Sequence, residues 1–205
     1  KNFVLYNPFV DGIGERSAHQ ETKDLLLSCV KSDLQTLCFA GSRKIVELIT
    51  VWAREDARRS SAKLAESISA YRAGFLPEER RAIEREAKVG TIRGIVSTNA
   101  LELGIDIGAL DAVIIDGYPG TMMSIRQQAG RAGRSGMESL AIFVAQANPL
   151  DQFFMNHPED FFQRSHEHAI IDIKNPYIFS GHLLCAAAEL PLNETNDGEI
   201  FTLPF

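Results

Sequence analysis

Residues 112–115, Ala-Val-Ile-Ile, and residues 94–97, Gly-Ile-Val-Ser, are two short runs that lack regular alternation of polar and apolar side chains. A strand with one face in water alternates, whereas a strand covered by helices on both faces is apolar almost throughout. Both runs therefore predict strands inside a parallel sheet. Because helical patterns lie between the apolar runs, the sequence predicts an α/β fold with a doubly wound parallel sheet flanked by helices.

Further apolar runs continue this alternation of strands and helices in both directions along the chain. The predicted strands are Phe3–Tyr6, Thr36–Ala40, Ile68–Tyr71, Ile92–Thr98, Ala112–Asp116 and Leu140–Ala145. After Ser42, which is placed to cap a helix, apolar residues at helical spacing predict one buried face, formed by Ile45, Leu48, Ile49 and Trp52. Pro77 suits a first helical turn, and a second helix is predicted from there to near Gly90, with a narrow apolar stripe that places it on the surface.

The character of the sequence changes after Ala147, where Asn-Pro and His-Pro pairs and paired phenylalanines begin. We therefore predict one domain over residues 1–147 and a small, mostly helical extension over residues 148–205, with a helix from Ser180 to Leu190. Acidic residues flank the pairs Phe153–Phe154 and Phe161–Phe162. These rings are therefore expected to pack onto the first domain rather than to stack on bases.

Charge excludes a protein that binds nucleic acid through bulk positive charge. The net charge is -6, and residues 1–136 carry 19 Lys and Arg against 17 Asp and Glu. Residues 137–205 carry 2 basic residues against 10 acidic ones. Because nonspecific affinity for nucleic acid comes largely from neutralised phosphates, any such contact must come from a few placed groups.

The 205-residue sequence has no apolar run long enough to span a bilayer, and its three cysteines form no CxxC pair. Membrane insertion, a disulfide scaffold and a four-cysteine zinc site are therefore not expected. A cytoplasmic location is expected instead. Three histidines and a cysteine late in the chain could suggest a metal site, but a buried cysteine and a satisfied histidine are commoner in such apolar stretches, so no metal site is predicted. The abrupt, strand-like start at Lys1 suggests a fragment.

The densest signal is the stretch Gln127–Gly136, Gln-Gln-Ala-Gly-Arg-Ala-Gly-Arg-Ser-Gly. Arg131 and Arg134 are three residues apart, which places them on one helical face, and glycines beside them allow close approach of a phosphate. Arginine keeps its charge and presents a planar fork of donors that fits phosphate oxygens. For this short pattern alone, a surface helix end that carries two arginines is an equally good interpretation.

Two other segments follow predicted strands. Ser97-Thr98-Asn99 ends one strand and is followed by Leu103–Gly108, and Phe39–Lys44 ends another and opens a helix. Open α/β sheets bind ligands at the carboxyl ends of their strands, and a helix start can hold a phosphate. An ordinary polar turn and an ordinary N-cap are the alternatives.

The order and spacing of the three segments resemble the second RecA-like motor domain of superfamily 2 helicases. Phe39–Arg43 resembles motif IV, Thr98–Asp106 motif V and Gln127–Arg134 motif VI. The resemblance narrows to the MrfA/YprA and Hrq group of DNA repair helicases through the segments Asn99–Gly108, Gln128–Arg134, Asn148–Met155 and Gly181–Glu189. In that group the residues after 148 would lead into a winged-helix-like region.

The resemblance implies a role for each motif residue. Arg131 and Arg134 would be arginine fingers that reach the γ-phosphate of ATP across a cleft, and further ATP contacts would come from Gly104, Asp106 and Gln127. Contacts to the nucleic-acid backbone would come from Ser42, Arg43, Thr98 and Asn99. Most relatives among DEAD-box RNA helicases have aspartate at the position of Asn99, so this residue favours the DNA branch.

The resemblance also implies partners and cofactors. The sequence has no GxxxxGK[ST] phosphate loop, so ATP and Mg²⁺ would be bound mainly by a preceding RecA-like domain in cis, and this chain alone should not hydrolyse ATP. The expected substrate is single-stranded DNA, or duplex DNA with a single-stranded tail, with 3′ to 5′ movement as in the resembled group. An RNA helicase of the same superfamily and a noncatalytic nucleic-acid-binding scaffold are the alternatives.

Overall fold

The structure, a computed structural model, describes residues 1–9, 17–102, 107–133, 138–167, 172, 175–193 and 197–198. Two compact units are present, formed by residues 1–167 and 168–205. The first unit contains the sheet and every residue of the motifs that the structure describes.

A six-stranded sheet forms the centre of the first unit. Its strand order is β1-β6-β5-β2-β4-β3, and every neighbouring pair is parallel. The strands are β1 (Asn2–Tyr6), β2 (Thr36–Ala40), β3 (Ile68–Tyr71), β4 (Gly94–Ser97), β5 (Ala112–Asp116) and β6 (Leu140–Val144). All six predicted strands are confirmed, and only their ends differ by a few residues.

Burial on both faces explains why these strands could be predicted. Every residue of β2, β3, β4 and β5 is buried, as expected for strands covered by helices on both sides. One face of the sheet is covered by α1 (Ala18–Lys31), α2 (Arg43–Arg58) and α3 (Ala62–Glu66), and the other by α4 (Pro77–Lys88), α5 (Met122–Gly130), α6 (Pro149–Asn156) and α7 (Pro158–Gln163). The predicted doubly wound α/β fold is confirmed.

Helix α2 begins as predicted but is rotated relative to the predicted buried face. The Ser42 hydroxyl accepts a hydrogen bond from the Ile45 amide and so caps the helix. Of the four predicted buried residues only Ile49 is buried, and the buried face consists of Val46, Ile49, Thr50, Ala53 and Ala57. Small alanines let the helix lie close to its neighbours, and the Thr50 hydroxyl can be buried because it donates to the Val46 carbonyl.

Helix α4 matches its prediction. It starts at Pro77, carries two glutamates in its first turn, and buries only Ala87. Gly90 follows it with φ of +78°, a left-handed conformation that glycine adopts without a steric penalty.

Helices α6 and α7 pack onto the sheet and belong to the first unit. Phe154 and Phe161 are buried, and the Phe161 ring stacks on Phe143 of β6 with centroids 5.6 Å apart. Phe153 and Phe162 remain 40% and 52% exposed, although the Phe162 ring contacts Phe3 of β1 edge-on with centroids 5.7 Å apart. Burial is therefore confirmed for one ring of each pair. The compact unit thus runs to Glu167, while the division into domains at residue 147 stays a prediction.

The second unit contains helix α8 (Pro176–Glu189). The Asn175 side chain accepts from the amides of Tyr177 and Ile178, so the helix begins one turn before the predicted Ser180. None of the described helices is long and apolar enough to cross a membrane.

Candidate functional site

Strands β2, β4 and β5 end side by side at one edge of the sheet, and the predicted motif residues lie on the segments that follow them. A pocket of about 170 Å³ opens there. It is smaller than the roughly 300–1,000 Å³ of pockets that enclose whole small molecules, so it suits one group of a larger ligand. Its lining includes Phe39, Ala40, Gly41, Thr98, Asn99, Glu102, Asp116, Ser124 and Gln128.

Thr98 and Asn99 border this pocket at the end of β4. The Thr98 hydroxyl accepts a long hydrogen bond, 3.4 Å, from the Ala100 amide and caps the single 3-10 turn Asn99–Leu101. Asn99 is exposed beside it. The Thr98 hydroxyl therefore serves the ordinary polar turn that was the alternative to a ligand contact. The Asn99 side chain is exposed to solvent.

Ser42 and Arg43 lie at the start of α2, after β2, and both are exposed. An N-terminal helix end carries partial positive charge, which favours anions. The ordinary N-cap interpretation is therefore correct for Ser42, and it is compatible with an anion at the same helix end.

Glu102 connects the segment after β4 to helix α5, and sequence reasoning missed it. Its carboxylate accepts from the Ser124 hydroxyl at 2.7 Å and from the Gln128 side-chain amide at 2.9 Å. Its backbone carbonyl accepts from Nε and Nη2 of Arg131 at 3.0 and 2.7 Å. Arg131 is thus held against the segment that follows β4.

The other predicted motif residues are less constrained or fall outside the described residues. Gln127 on α5 is half-buried, and its side chain has no hydrogen bond within the described part of the chain. Gly104, Asp106 and Arg134 lie outside the described residues, so their predicted roles stay predictions.

A buried carboxylate at the end of β5 organises the same edge of the sheet. Asp116 is 6% exposed and accepts from the Thr22 hydroxyl at 2.9 Å and from the Gln146 side chain at 2.6 Å. The Nδ1 atom of His19 lies 2.6 Å from the other carboxylate oxygen. This hydrogen bond with Asp116 raises the pKa of His19 above its ordinary value, against a smaller opposing effect of burial.

The first turn of α5 has a separate anchor. The Glu167 carboxylate accepts from the amides of Met122 and Met123 at 2.7 and 3.2 Å, and these bonds lower its pKa. Arg126 on the same helix donates to the Arg164 carbonyl. Residues 164–167 therefore hold α5 at the end opposite Arg131.

The chain matches two protein families. The family described as the helicase conserved C-terminal domain matches residues 19–136, more than half of the chain. The chain belongs to this helicase C-terminal domain family. A second family, the winged helix domain of ATP-dependent helicase HRQ1, matches residues 171–204, which lie in the second unit.

Relatives place this helicase C-terminal domain in the MrfA/YprA and Hrq group. It is 48% identical to the uncharacterized ATP-dependent helicase YprA of Bacillus subtilis over 93% of the chain and 26% of that protein. It is 40% identical to ATP-dependent helicase hrq1 of Schizosaccharomyces pombe over 98% of the chain and 20% of that protein. The chain therefore spans between a fifth and about a quarter of the length of these relatives.

A solved structure gives the same grouping. The crystal structure of the DUF1998 helicase MrfA bound to DNA and AMPPNP superimposes with a TM-score of 0.83 at 47% identity, over 95% of this chain and 27% of that one. The predicted resemblance and the RecA-like fold of this helicase C-terminal domain are confirmed.

Two side-chain clusters of the domain could not be read from the sequence. Glu102 meets partners 22 and 26 residues away, and Asp116 meets partners 94 and 97 residues away. The available signal was a polar residue at the end of an apolar strand, as in Ala-Val-Ile-Ile-Asp. Such a residue requires partners when it is buried, but only the fold shows which ones.

Proposed function

We propose that this chain is the second motor domain of an ATP-dependent DNA helicase that acts in DNA repair. The observation that supports this most is that Gly41 of motif IV, Thr98 and Asn99 of motif V, and Gln128 of motif VI line one pocket at the carboxyl edge of the parallel sheet. Arg131 is bonded to the Glu102 carbonyl beside this pocket. A similar solved structure favours a DNA helicase over the RNA alternative, because MrfA was solved with DNA bound.

In this proposal Arg131 and Arg134 are arginine fingers. Negative charge on the transferred phosphoryl group is stabilised by fixed cations, and such fingers contribute about a thousandfold or more to turnover. The guanidinium of Arg131 is oriented by the Glu102 carbonyl. Gly104, Asp106 and Gln127 complete the nucleotide contacts of this domain.

The contacts with the DNA backbone are assigned to Ser42, Arg43, Thr98 and Asn99. These residues follow β2 and β4 at the same sheet edge, and three of the four are exposed. A helix start, hydroxyls and one guanidinium can contact phosphates without large net charge. Closure and opening of the two motor domains would then shift these contacts along the strand, with 3′ to 5′ movement.

ATP and Mg²⁺ are assigned mainly to another RecA-like domain in cis. The sequence has no GxxxxGK[ST] loop, and the described residues contain no group of three or more potential metal ligands. The residues present therefore supply the contacts of one side only, and this chain by itself is proposed not to hydrolyse ATP.

The same proposal assigns a role to each part of the chain. Residues 1–147 would form the motor domain, and residues 148–205 an accessory extension that leads toward a winged-helix region. A location with DNA in the cytoplasm, at the nucleoid in a bacterium or archaeon, follows from this function.

ATP turnover of the complete protein tests the proposal, with single-stranded DNA and single-stranded RNA of matched length. Stimulation by DNA alone supports the DNA helicase. Stimulation by RNA alone supports the RNA helicase, and no turnover with either polymer supports a noncatalytic scaffold.

A further inference from the structure

Glu102 connects two motif segments through two different groups. Its carboxylate accepts from side chains of α5, Ser124 at 2.7 Å and Gln128 at 2.9 Å. Its backbone carbonyl accepts twice from Arg131, at 3.0 and 2.7 Å. One residue therefore contacts three positions of the α5 segment.

These three positions form one stripe. Ser124, Gln128 and Arg131 are separated by four and three residues, which places them on the same face of a helix. The stripe faces Glu102. Displacement of Glu102 would therefore disturb the stripe as a whole, including the guanidinium.

The position of the Glu102 carbonyl depends on its side chain. Residue 102 lies outside any strand or α-helix, at the end of the short turn Asn99–Leu101, where its amide donates to the Asn99 carbonyl. The two bonds of the carboxylate to α5 restrain this residue further. Gln128 is 3% exposed, and its Oε1 atom has no partner among the described residues, so loss of the carboxylate would leave the side-chain amide of this buried residue without a hydrogen bond to any described residue.

We propose that Glu102 is a positioning residue for Arg131. Its carboxylate fixes the segment after β4 against α5, and its carbonyl thereby sets the direction of the guanidinium. This inference rests on the proposed function, because it assigns the purpose of that orientation to ATP turnover.

Two substitutions in the complete protein separate position from charge. Glu102→Ala removes both carboxylate bonds and should lower DNA-stimulated kcat by roughly tenfold to a hundredfold, since a shift of about 1 Å can cost about a hundredfold. The KM for ATP should change by less than about threefold, because the loss falls on the transition state. Glu102→Gln should restore kcat to within about threefold, since a flipped Gln128 amide can accept from the new amide.

Two comparisons show whether the effect passes through Arg131. The double variant Glu102→Ala, Arg131→Ala should be no slower than Arg131→Ala alone if both residues act as one unit. Glu84→Ala is the matched control, because Glu84 is a half-buried glutamate that accepts from the Tyr71 hydroxyl at 2.8 Å, away from the site. It should leave kcat unchanged.

Hydrogen exchange of peptides from α5 gives a readout that needs no turnover. Glu102→Ala should speed exchange there, and Glu84→Ala should not. Glu102→Ala with kcat within threefold of the parent, a Gln variant as slow as the Ala variant, or additive losses in the double variant would overturn the positioning role. If the parent shows no DNA-stimulated turnover, the proposed function fails, and unchanged α5 exchange in Glu102→Ala would then overturn the positioning role as well.

Discussion

Loss of an arginine of motif VI should lower ATP turnover while leaving folding and DNA affinity largely unchanged. If Arg134 is the arginine finger proposed above, Arg134→Ala in the complete protein should lower strand-stimulated ATP turnover by about a thousandfold, because the transferred phosphoryl group would lose a stabilising cation. Folding and most DNA affinity should persist. Steady-state turnover with saturating single-stranded DNA measures the effect.

Arg59→Ala is the control for Arg134→Ala, because Arg59 is an exposed arginine at the end of α2 that pairs with Asp56 at 3.2 Å, away from α5. Its turnover should stay close to that of the parent. Arg134→Ala turnover within about threefold of the parent would show that Arg134 is no finger.

The pair of His19 and Asp116 should make stability depend on pH. The pKa of His19 is raised in the folded chain, so the stabilisation is complete below the unfolded pKa of about 6.5 and is lost as pH rises through the folded pKa. His19→Gln should therefore be less stable than the parent at pH 6, by about 1–3 kcal/mol for a charged hydrogen bond. Chemical denaturation at pH 6 and pH 9 measures this gap, which should shrink at pH 9.

A gap between the parent and His19→Gln that is equal at both pH values would contradict a protonated His19 in the folded chain. Lys23 on α1 offers a comparison, because its ammonium group pairs with the carboxylates of Asp24 and Asp56. Against an opposing effect of burial, these pairs raise the pKa of Lys23 above its ordinary value of 10.5, so Lys23 stays charged at both pH values. Loss of Lys23 by substitution with Met should give a pH-independent change between pH 6 and pH 9.

Among the elements, the strands were predictable and the faces of the helices were not. A strand such as β5 is buried on both sides, so its sequence is apolar whatever lies above it. Helix α2 instead has apolar residues around more than half of its circumference, and only its neighbours decide that Val46 and Ala53 rather than Leu48 and Trp52 are buried. The site divides in the same way: local caps such as Ser42 could be predicted, whereas the contacts of Glu102 depend on the fold.

Helix α7 should depend on one of its two phenylalanines. Phe161 is 3% exposed and contacts Phe3, Phe143 and Phe154, so Phe161→Ala is expected to cost about 3–5 kcal/mol of unfolding free energy. Phe162 is 52% exposed, and Phe162→Ala should cost less than about 1 kcal/mol. Chemical denaturation compares the two, and equal losses would show that α7 does not pack on the sheet as described.

For the molecule as a whole, the near-balance of basic and acidic residues in the first 136 positions predicts a weak dependence of DNA affinity on salt. Residues 1–136 carry 19 basic against 17 acidic residues, so few phosphates can be neutralised by this chain. If Arg43 contacts one of them, Arg43→Ala should reduce the slope of log affinity against log salt by about 0.7 for a single strand. The loss of affinity should be similar for different DNA sequences, because a phosphate contact carries no sequence information.

Arg59 at the other end of α2 provides the matched control for Arg43. It is exposed and paired with Asp56 at 3.2 Å, on the end of the helix opposite the predicted contact. Binding of a fluorescent single strand by the complete protein at several salt concentrations should give the parental slope for Arg59→Ala. Equal slopes for both variants would place the DNA away from Arg43, whereas a reduced slope for Arg43→Ala alone supports a strand that passes over the start of α2.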